Sequence, residues 1–348
     1  MKLLVIRLSA LGDIAMTVPV IDAVARRYPH LEITVLSRAF VQPLFERLPS
    51  NVHFRGVDPK QYPGLQGLYR LFRELHAEGY EAVADLHDVL RTKVVRTLFA
   101  LHGARVAHIC KGRAEKRSLI RQGYRHASPL PTAFQRYADV FRGLGFEIEE
   151  IPFRSLYGEQ KGSEQLFNTI STTHSQHPWI GIAPFAAHAG KVLPAETTRR
   201  LIDQLAQTYS QGALFLFGGG ATETSQLEDW AAPYPNVTAV AGRLKLAGEL
   251  ALMSHLDVMV SMDSGNMHLA SLVDTPVVSI WGATHPYAGF MGWRQSSDHA
   301  VQLDLECRPC SIFGNKPCRR GDYACLRNLK AEQICSAIQR TLSKPTEP

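Results

Sequence analysis

The sequence predicts an α/β protein of two Rossmann-like domains, each built on a doubly wound parallel sheet, and three observations lead there. Short apolar runs recur along the chain and alternate with stretches of helical periodicity. The alternation stops over residues 152–178, where polar residues rich in Ser, Thr and Gln show little periodicity, and then restarts. At 348 residues the chain is long for one hydrophobic core and comfortable for two.

In the first half, Leu3-Leu4-Val5-Ile6 reads as a buried parallel strand followed by a loop and a helix from Asp13 to Tyr28. Ile33 to Leu36 is a second strand, Val41 to Leu48 a short helix, and Val52 to Phe54 a weaker third strand. A helix from Leu65 to Glu78 leads to a strand at Ala82 to Leu86, with further helices at Arg91 to His102 and Phe134 to Leu144.

In the second half, Trp179 to Ala183 is a strand, and Pro194 opens a helix that reaches Tyr209. Ala213 to Phe217 is a strand ending in three glycines, followed by a helix from Thr222 to Ala231 with Glu223 in its first turn. Strands at Val237 to Val240, Val258 to Ser261 and Val277 to Ile280 follow, with a helix starting near Ser264 between the last two. A helix from Ala331 to Leu342 closes the chain. The domains are therefore 1–155 and 179–330, with a connection at 156–178 and a C-terminal helix and tail at 331–348. Two such halves facing a central cleft describe the GT-B arrangement of many nucleotide-sugar transferases, an outline shared by two-domain periplasmic binding proteins.

Hydrophobic content of 45% with 20% charged residues is ordinary for a globular protein. No stretch approaches the roughly 18–20 apolar residues of a membrane span. Lys2 before an apolar run imitates a secretion signal, but Arg7 and Asp13 break it, so a first strand and a cytoplasmic location are expected. Residues 1–150 hold 22 Lys+Arg against 15 Asp+Glu, whereas the remainder holds 16 against 17. A basic half beside a neutral one suits an anionic partner, or is only a high pI.

Three loops that follow apolar strands carry the candidate chemistry. Asp263-Ser264-Gly265 runs from a strand directly into a helix, aiming unpaired N–H groups and a positive dipole end at the sheet's carboxyl edge. That is a diphosphate site, with Gly265 allowing close approach and His268 on the first turn, or it is an ordinary helix cap. The small-residue loop Ala183 to Gly190 delivers Lys191, either as a cation for phosphate or as an idle surface lysine. After the first strand, Asp13 stands at a helix start, as a general base or as a cap. No strand ends in GxGxxG, which argues against a nicotinamide oxidoreductase.

These segments together resemble glycosyltransferase family 9, the heptosyltransferases. The likeness rests on Arg7 to Pro29, the Lys191 loop before a helix, Asp263-Ser264-Gly265 with His268-Leu269-Ala270, and Pro276 to Thr284, in the family's order and from the first strand to the Cys-rich tail. It implies a GT-B enzyme that moves heptose from ADP-heptose to a lipopolysaccharide core acceptor with inversion, its first domain binding acceptor and its second binding the nucleotide sugar. The family's catalytic aspartate falls on Asp13 and its phosphate-binding lysine on Lys191. Its donor-holding helix start falls on Asp263, Ser264 and Gly265, its histidine on His268, and its acidic nucleoside contact on Glu223. Fixed charges would stabilise the leaving diphosphate, so no cofactor is expected for catalysis. Ala186 and Ala187 stand where many relatives carry hydroxyls, and Val192-Leu193-Pro194 where they carry a tryptophan. A relative using another nucleotide sugar, and a bilobal binding protein without turnover, are therefore the alternatives.

Two further clusters stand out. Lys111, Arg113, Lys116, Arg117, Arg121 and Arg125 are opposed only by Glu115. They suit an anionic lipopolysaccharide acceptor or the inner face of the cytoplasmic membrane, or form a solvated basic loop; without interleaved aromatics they do not suggest nucleic acid. Cys307, Cys310, Cys318 and Cys325 supply enough thiols for a structural zinc, or are simply reduced; disulfides are the less expected state in a cytosolic chain.

Overall fold

The computed structural model describes residues 1–170 and 176–343. Residues 171–175 of the expected connection and 344–348 of the expected tail lie outside the described residues. The chain divides into two compact units, one of Met1–Lys111 with Pro131–Leu156, the other of Gly112–Leu130 with the chain from Tyr157 onward.

The first unit holds β1 (Lys2–Ile6), β2 (Glu32–Ser37), β3 (Val52–Gly56), β4 (Ala82–Asp85) and β5 (Arg105–His108). They form one sheet in the order β3-β2-β1-β4-β5, with every pair parallel. Its helices are α1 (Leu11–Ala15), α2 (Val18–Arg27), α3 (Gly64–His76) and α4 (Leu90–Leu101); α5 (Arg113–Gln122) departs to the second unit and α6 (Ala133–Arg142) returns. Residues 3–6 of β1 and 82–84 of β4 are apolar and buried on both faces, as central parallel strands require. Leu68, Leu71, Phe72 and Leu75 fall on one face of α3 and pack with Val95 and Phe99 of α4 and with Leu4, Ile6 and Val83 of the sheet. The Asn51 amide donates to the carbonyls of Ala25, Tyr28 and Leu31, closing the turn from α2 into β2.

The second unit holds β6 (Trp179–Ala183), β7 (Ala213–Leu216), β8 (Val237–Ala239), β9 (Val258–Met262), β10 (Val277–Ile280) and β11 (Ala300–Val301). Their order is β11-β10-β9-β6-β7-β8, again all parallel. Helices α7 (Ala195–Thr208), α8 (Ala221–Ala231), α9 (Leu246–Ser254), α10 (Gly265–Leu272), α11 (Ala324–Arg327) and α12 (Ala331–Ser343) complete it. Ile334, Ala337 and Ile338 of α12 are buried in the core that includes Leu201, Ile202 and Leu205 of α7.

Both sheets have the predicted doubly wound α/β class, and each reverses its strand order once. The reversal lies between β1 and β4 in one sheet and between β6 and β9 in the other. Loops leaving the two sides of such a point diverge and open a crevice at the carboxyl edge.

Several local expectations need correction. The single helix over 13–28 is two, α1 and α2, because Pro19 has no N–H to continue the ladder. The helix over 41–48 is a 3₁₀ turn, Ala39–Leu44, with Pro43 inside it. A contiguous domain over 1–155 is interrupted, since residues 112–130 pack with the second unit. There Leu119 of α5 joins Ala288 and Ile312, Tyr124 stacks on His285 at 4.3 Å, and Arg125 pairs with Asp304 at 2.8 Å. The described part of the 156–178 connection is also fastened. Phe167 and Ile170 are buried, the Gly162 N–H donates to Ser254 Oγ at 2.7 Å, and His255 Nε2 lies 2.7 Å from the Gly162 carbonyl oxygen. Among the described residues no helix is long and apolar enough to cross a membrane.

Candidate functional site

In the first unit the candidate residues collect at the β1/β4 reversal. Asp13 is the third residue of α1, and its Oδ2 accepts the Ala10 N–H at 3.3 Å. The same oxygen is paired with the Arg7 guanidinium at 2.5 Å. Arg7 is buried and also donates to the Leu86 carbonyl at 2.6 Å, tying the exit of β1 to the exit of β4. Asp13 thus caps its helix while its side chain stays partly exposed; capping and an accessible carboxylate coexist. Tyr137 of α6 lies beneath, its hydroxyl donating to the Asp13 carbonyl at 3.3 Å. Burial pushes that phenol up, so it remains a donor.

The β4 exit contributes a residue that sequence reasoning missed. His87 Nε2 stands 3.2 Å from Ser9 Oγ, and its buried Nδ1 has no hydrogen-bond partner among the described residues. Burial first, and then the charge of Arg7, push the imidazole down to about 4, so it is neutral at physiological pH. Asp85 shapes this turn, accepting the backbone N–H groups of His87 and Asp88 on one oxygen and Arg96 on the other, at 2.8 to 3.0 Å. The signal was Asp85-Leu86-His87-Asp88 directly after an apolar strand; it becomes a site signal only once β4 is known to lie beside β1.

In the second unit the β6/β9 reversal unites two of the expected residues. Lys191 ends a 3₁₀ turn after β6, and its Nζ is 2.8 Å from Asp263 Oδ2 at the end of β9. Asp263 is buried and Lys191 nearly so. Ser264 is the N-cap residue of α10, yet no side-chain hydrogen bond caps that helix; Ser264 Oγ lies 3.3 Å from Ser261 Oγ instead. The simple-cap reading of Asp263 and Ser264 is therefore not what the structure shows. Gly265 begins α10, and His268 is buried within its first turns. Glu223 sits at the β7 exit, where its Oε2 accepts the Gly219 N–H at 2.9 Å and holds the glycine loop.

The lysine turn is braced from behind. The Ala283 N–H donates to the Gly190 carbonyl at 2.8 Å, and a Cβ on Gly190 would stand 2.8 Å from the Gly314 carbonyl oxygen. The loop carrying Ala283 is held by Arg308, which is buried and, among the described residues, is held by carbonyls and an amide and not by a carboxylate. Its guanidinium donates to the carbonyls of Trp281, Gly282, Thr284 and Leu303 and to Gln302 Oε1. Burial lowers it only to about 10, so the charge persists. Sequence reasoning missed Arg308, whose partners lie up to 27 residues away.

The zinc reading of the neighbouring cysteines is corrected by this geometry. All four are free thiols, and among the described residues no group of three or more His, Cys, Asp or Glu is placed to hold a metal ion. Their segment is folded around the Arg308 clamp instead, with the Cys310 N–H donating to Ala283. Burial pushes the Cys310 thiol up and the Cys325 thiol up to about 11.

Comparison with known proteins decides the family. Residues 68–320 match the model of glycosyltransferase family 9 (heptosyltransferase). The chain belongs to this family. Lipopolysaccharide heptosyltransferase 1 of Pseudomonas aeruginosa is 25% identical over 367 residues, covering 99% of each chain. Lipopolysaccharide heptosyltransferase 3 of Escherichia coli K12 is 24% identical over 307 residues, covering 84% of each. Among solved structures, a family 9 glycosyl transferase from Veillonella parvula superposes with a TM-score of 0.75 at 20% identity, covering 98% of this chain and 97% of that one. The ADP-heptose lipopolysaccharide heptosyltransferase II of E. coli follows at 0.69 and 20%, covering 98% of both. This family 9 glycosyltransferase therefore has the GT-B fold class expected from its sequence, and the resemblance read from its motifs holds.

Proposed function

We propose that this glycosyltransferase moves heptose from ADP-heptose onto a lipopolysaccharide core acceptor with inversion at the anomeric carbon. The observation that carries the donor half is the Lys191–Asp263 pair at the uncapped start of α10. A cation and free helix N–H groups at a sheet's reversal point are what a nucleotide diphosphate requires. A heptosyltransferase structure with ADP-2-deoxy-2-fluoro heptose, 18% identical with a TM-score of 0.68, supports the choice of donor.

Asp13 takes the proton of an acceptor hydroxyl on Oδ1, since Oδ2 is held by Arg7 and Ala10. The acceptor oxygen attacks the anomeric carbon as the bond to the diphosphate oxygen breaks on the opposite face. ADP leaves into the field of Lys191 and the α10 N-terminus, whose charges need no reorganisation at that moment. Asp263, Ser264, Gly265 and His268 hold the donor's phosphates and sugar, and Glu223 contacts the nucleoside.

The basic cluster serves the acceptor side of this reading. Arg113, Arg117 and Arg121 repeat every four residues along α5 and are exposed on one stripe. Lys116 instead lies 4.6 Å over the Phe290 ring, and Lys111 donates to the Asp88 carbonyl at 2.9 Å. The arginine stripe is suited to phosphates and carboxylates of the core, at the inner face of the cytoplasmic membrane.

A donor panel tests the reading. ADP, ADP-heptose, UDP-sugars and GDP-sugars are compared by thermal shift with wild type and Lys191→Ala. Ligand at about 100 times its dissociation constant adds about 2.7 kcal/mol. Stabilisation by ADP and ADP-heptose alone, weakened in the variant, is expected. Stabilisation by a uridine or guanosine sugar would discard heptose and keep the fold and mechanism.

A further inference from the structure

Three connections leave the carboxyl edge of the first sheet around the Asp13 loop, and each exposes a large apolar side chain. Phe40 follows β2, Leu65 follows β3 and Leu90 follows β4, at 51%, 72% and 80% exposure. Tyr69, one turn beyond Leu65 on α3, is 52% exposed. The core does not need them, because the inward faces of α3 and α4 are already supplied by Leu68, Leu71, Phe72, Leu75, Val95 and Phe99.

The three connections are joined into one band. A Cβ on Gly56 would stand 3.0 Å from Ala39 Cβ, and the Val57 N–H donates to the Ser37 carbonyl at 2.8 Å. Arg91, beside Leu90, donates to the carbonyls of Pro59 and Tyr62 at 2.7 and 2.9 Å. The band also carries one sign of charge in excess. Segments 38–44, 57–70 and 86–93 contain Arg38, Lys60, Arg70, Arg91 and Lys93 against Asp58 and Asp88. The Arg38 guanidinium lies 5.6 Å from the Phe40 ring centroid. Isolated exposed leucines are ordinary, but an apolar band interleaved with cations is not. Such a surface fits a headgroup layer, with the rings and aliphatic chains at the acyl boundary and the cations among anionic headgroups.

We propose that this rim seats the first unit on an anionic lipid bilayer, so that a lipid-borne acceptor is presented at the sheet edge that carries Asp13. The proposal rests on the reading of the acceptor as a lipid-linked glycan, and it assigns the membrane contact to residues outside the α5 stripe. Each buried leucine would contribute roughly tenfold in partition.

The test is co-sedimentation of the full chain with vesicles of phosphatidylethanolamine and phosphatidylglycerol, containing no acceptor and no donor. Wild type should sediment with them and less with pure phosphatidylcholine. The double variant Leu65→Glu/Leu90→Glu should lose about a hundredfold in partition while keeping its melting temperature and its stabilisation by ADP. Leu101→Glu, which charges a leucine 76% exposed at the other end of α4, should bind as wild type. Equal loss in Leu101→Glu, or no loss in the double variant, overturns the proposal. So does binding only when vesicles carry the acceptor glycolipid, which would make the rim an acceptor subsite. Self-association abolished by the double variant, with no vesicle binding, would make the occupant a second copy of the chain. Because the assay needs no transfer, its failure is separate from failure of the donor panel.

Discussion

Removing Lys191 should do two separable kinds of damage, and one further substitution tells them apart. Its Nζ neutralises Asp263 at 2.8 Å, and Asp263 is buried. In Lys191→Met the carboxylate loses its cation inside the protein, which typically costs about 3–5 kcal/mol for a fully buried pair. Lys191 keeps some solvent contact, so the lower end, about 3 kcal/mol, is expected, with a melting temperature lower by roughly 5–10 °C. The same change removes a cation from the leaving diphosphate, worth about 10²–10³ in kcat. In Lys191→Met/Asp263→Asn the stranded charge is gone and most of the thermal loss should return. Turnover should not return, because the departing ADP still lacks its cation. The assay is calorimetry beside single-turnover ADP release for the wild type, both singles and the double. Recovery of stability and turnover together in the double variant would show that Lys191 serves only Asp263, and the donor argument would fall.

Asp13→Asn should lower turnover by about 10²–10⁴ and leave stabilisation by ADP unchanged; an equal loss of ADP stabilisation would place Asp13 on the donor side. Gly314→Ala adds a Cβ 2.6 Å from Lys191 Cγ at a residue whose φ is +73°. It should cost about 1 kcal/mol of stability and raise the donor KM several-fold, as steady-state kinetics would show; an unchanged KM would mean that Lys191 tolerates displacement. His87 and His285 are both pushed down to about 4, chiefly by burial. An unfolded chain binds those protons near the ordinary 6.5, so stability should be full above about pH 6.5 and fall as pH drops toward 4. Melts across that window check this, and His87→Gln should flatten the slope; an unaltered slope would assign the acid sensitivity elsewhere.

The parts of the fold that could be read in the sequence were those whose burial leaves a one-dimensional trace. β1, β4, β6, β9 and β10 are central or near-central strands and appear as predominantly apolar runs, broken only by Ser261 in β9, Ser279 in β10, Asp85 at the end of β4 and Lys2 at the start of β1. β5 is an edge strand whose Arg105 and His108 are exposed, and β11 has two residues, so neither leaves such a run. Helix α5 buries only Leu119, and α9 buries nearly all its sides, so one lacks apolar residues and the other lacks a polar face to give a period. The same division holds at the site. Lys191, Asp263 and Ser264 stand in turns next to their strands and Asp13 in the first turn of the helix after β1, and their placement follows from that neighbourhood. His87 needed the strand order β1-β4 to reach Ser9, and Arg308 needed a loop of carbonyls from another segment. The cysteine spacing was a poor guide because that segment answers to the Arg308 clamp.

The excursion of residues 112–130 into the second unit has a consequence for biosynthesis. Leu119 leaves the ribosome long before Ala288 and Ile312, the residues that cover it. At about 5–20 residues per second, a delay of roughly 170–190 residues keeps α5 waiting for about 10–40 s. During that interval the nascent chain carries an arginine-rich helix with its one apolar stripe bare, beside a first sheet that still lacks α6 only briefly. Folding is thus ordered by translation: the first unit can close around its returning helix while α5 remains undocked, and the second unit is complete only when its own late loops arrive to receive it. A gene fragment starting at residue 157 would make a second unit with an empty seat at Ala288 and Ile312, and supplying residues 112–130 as a separate peptide would be the way to fill it.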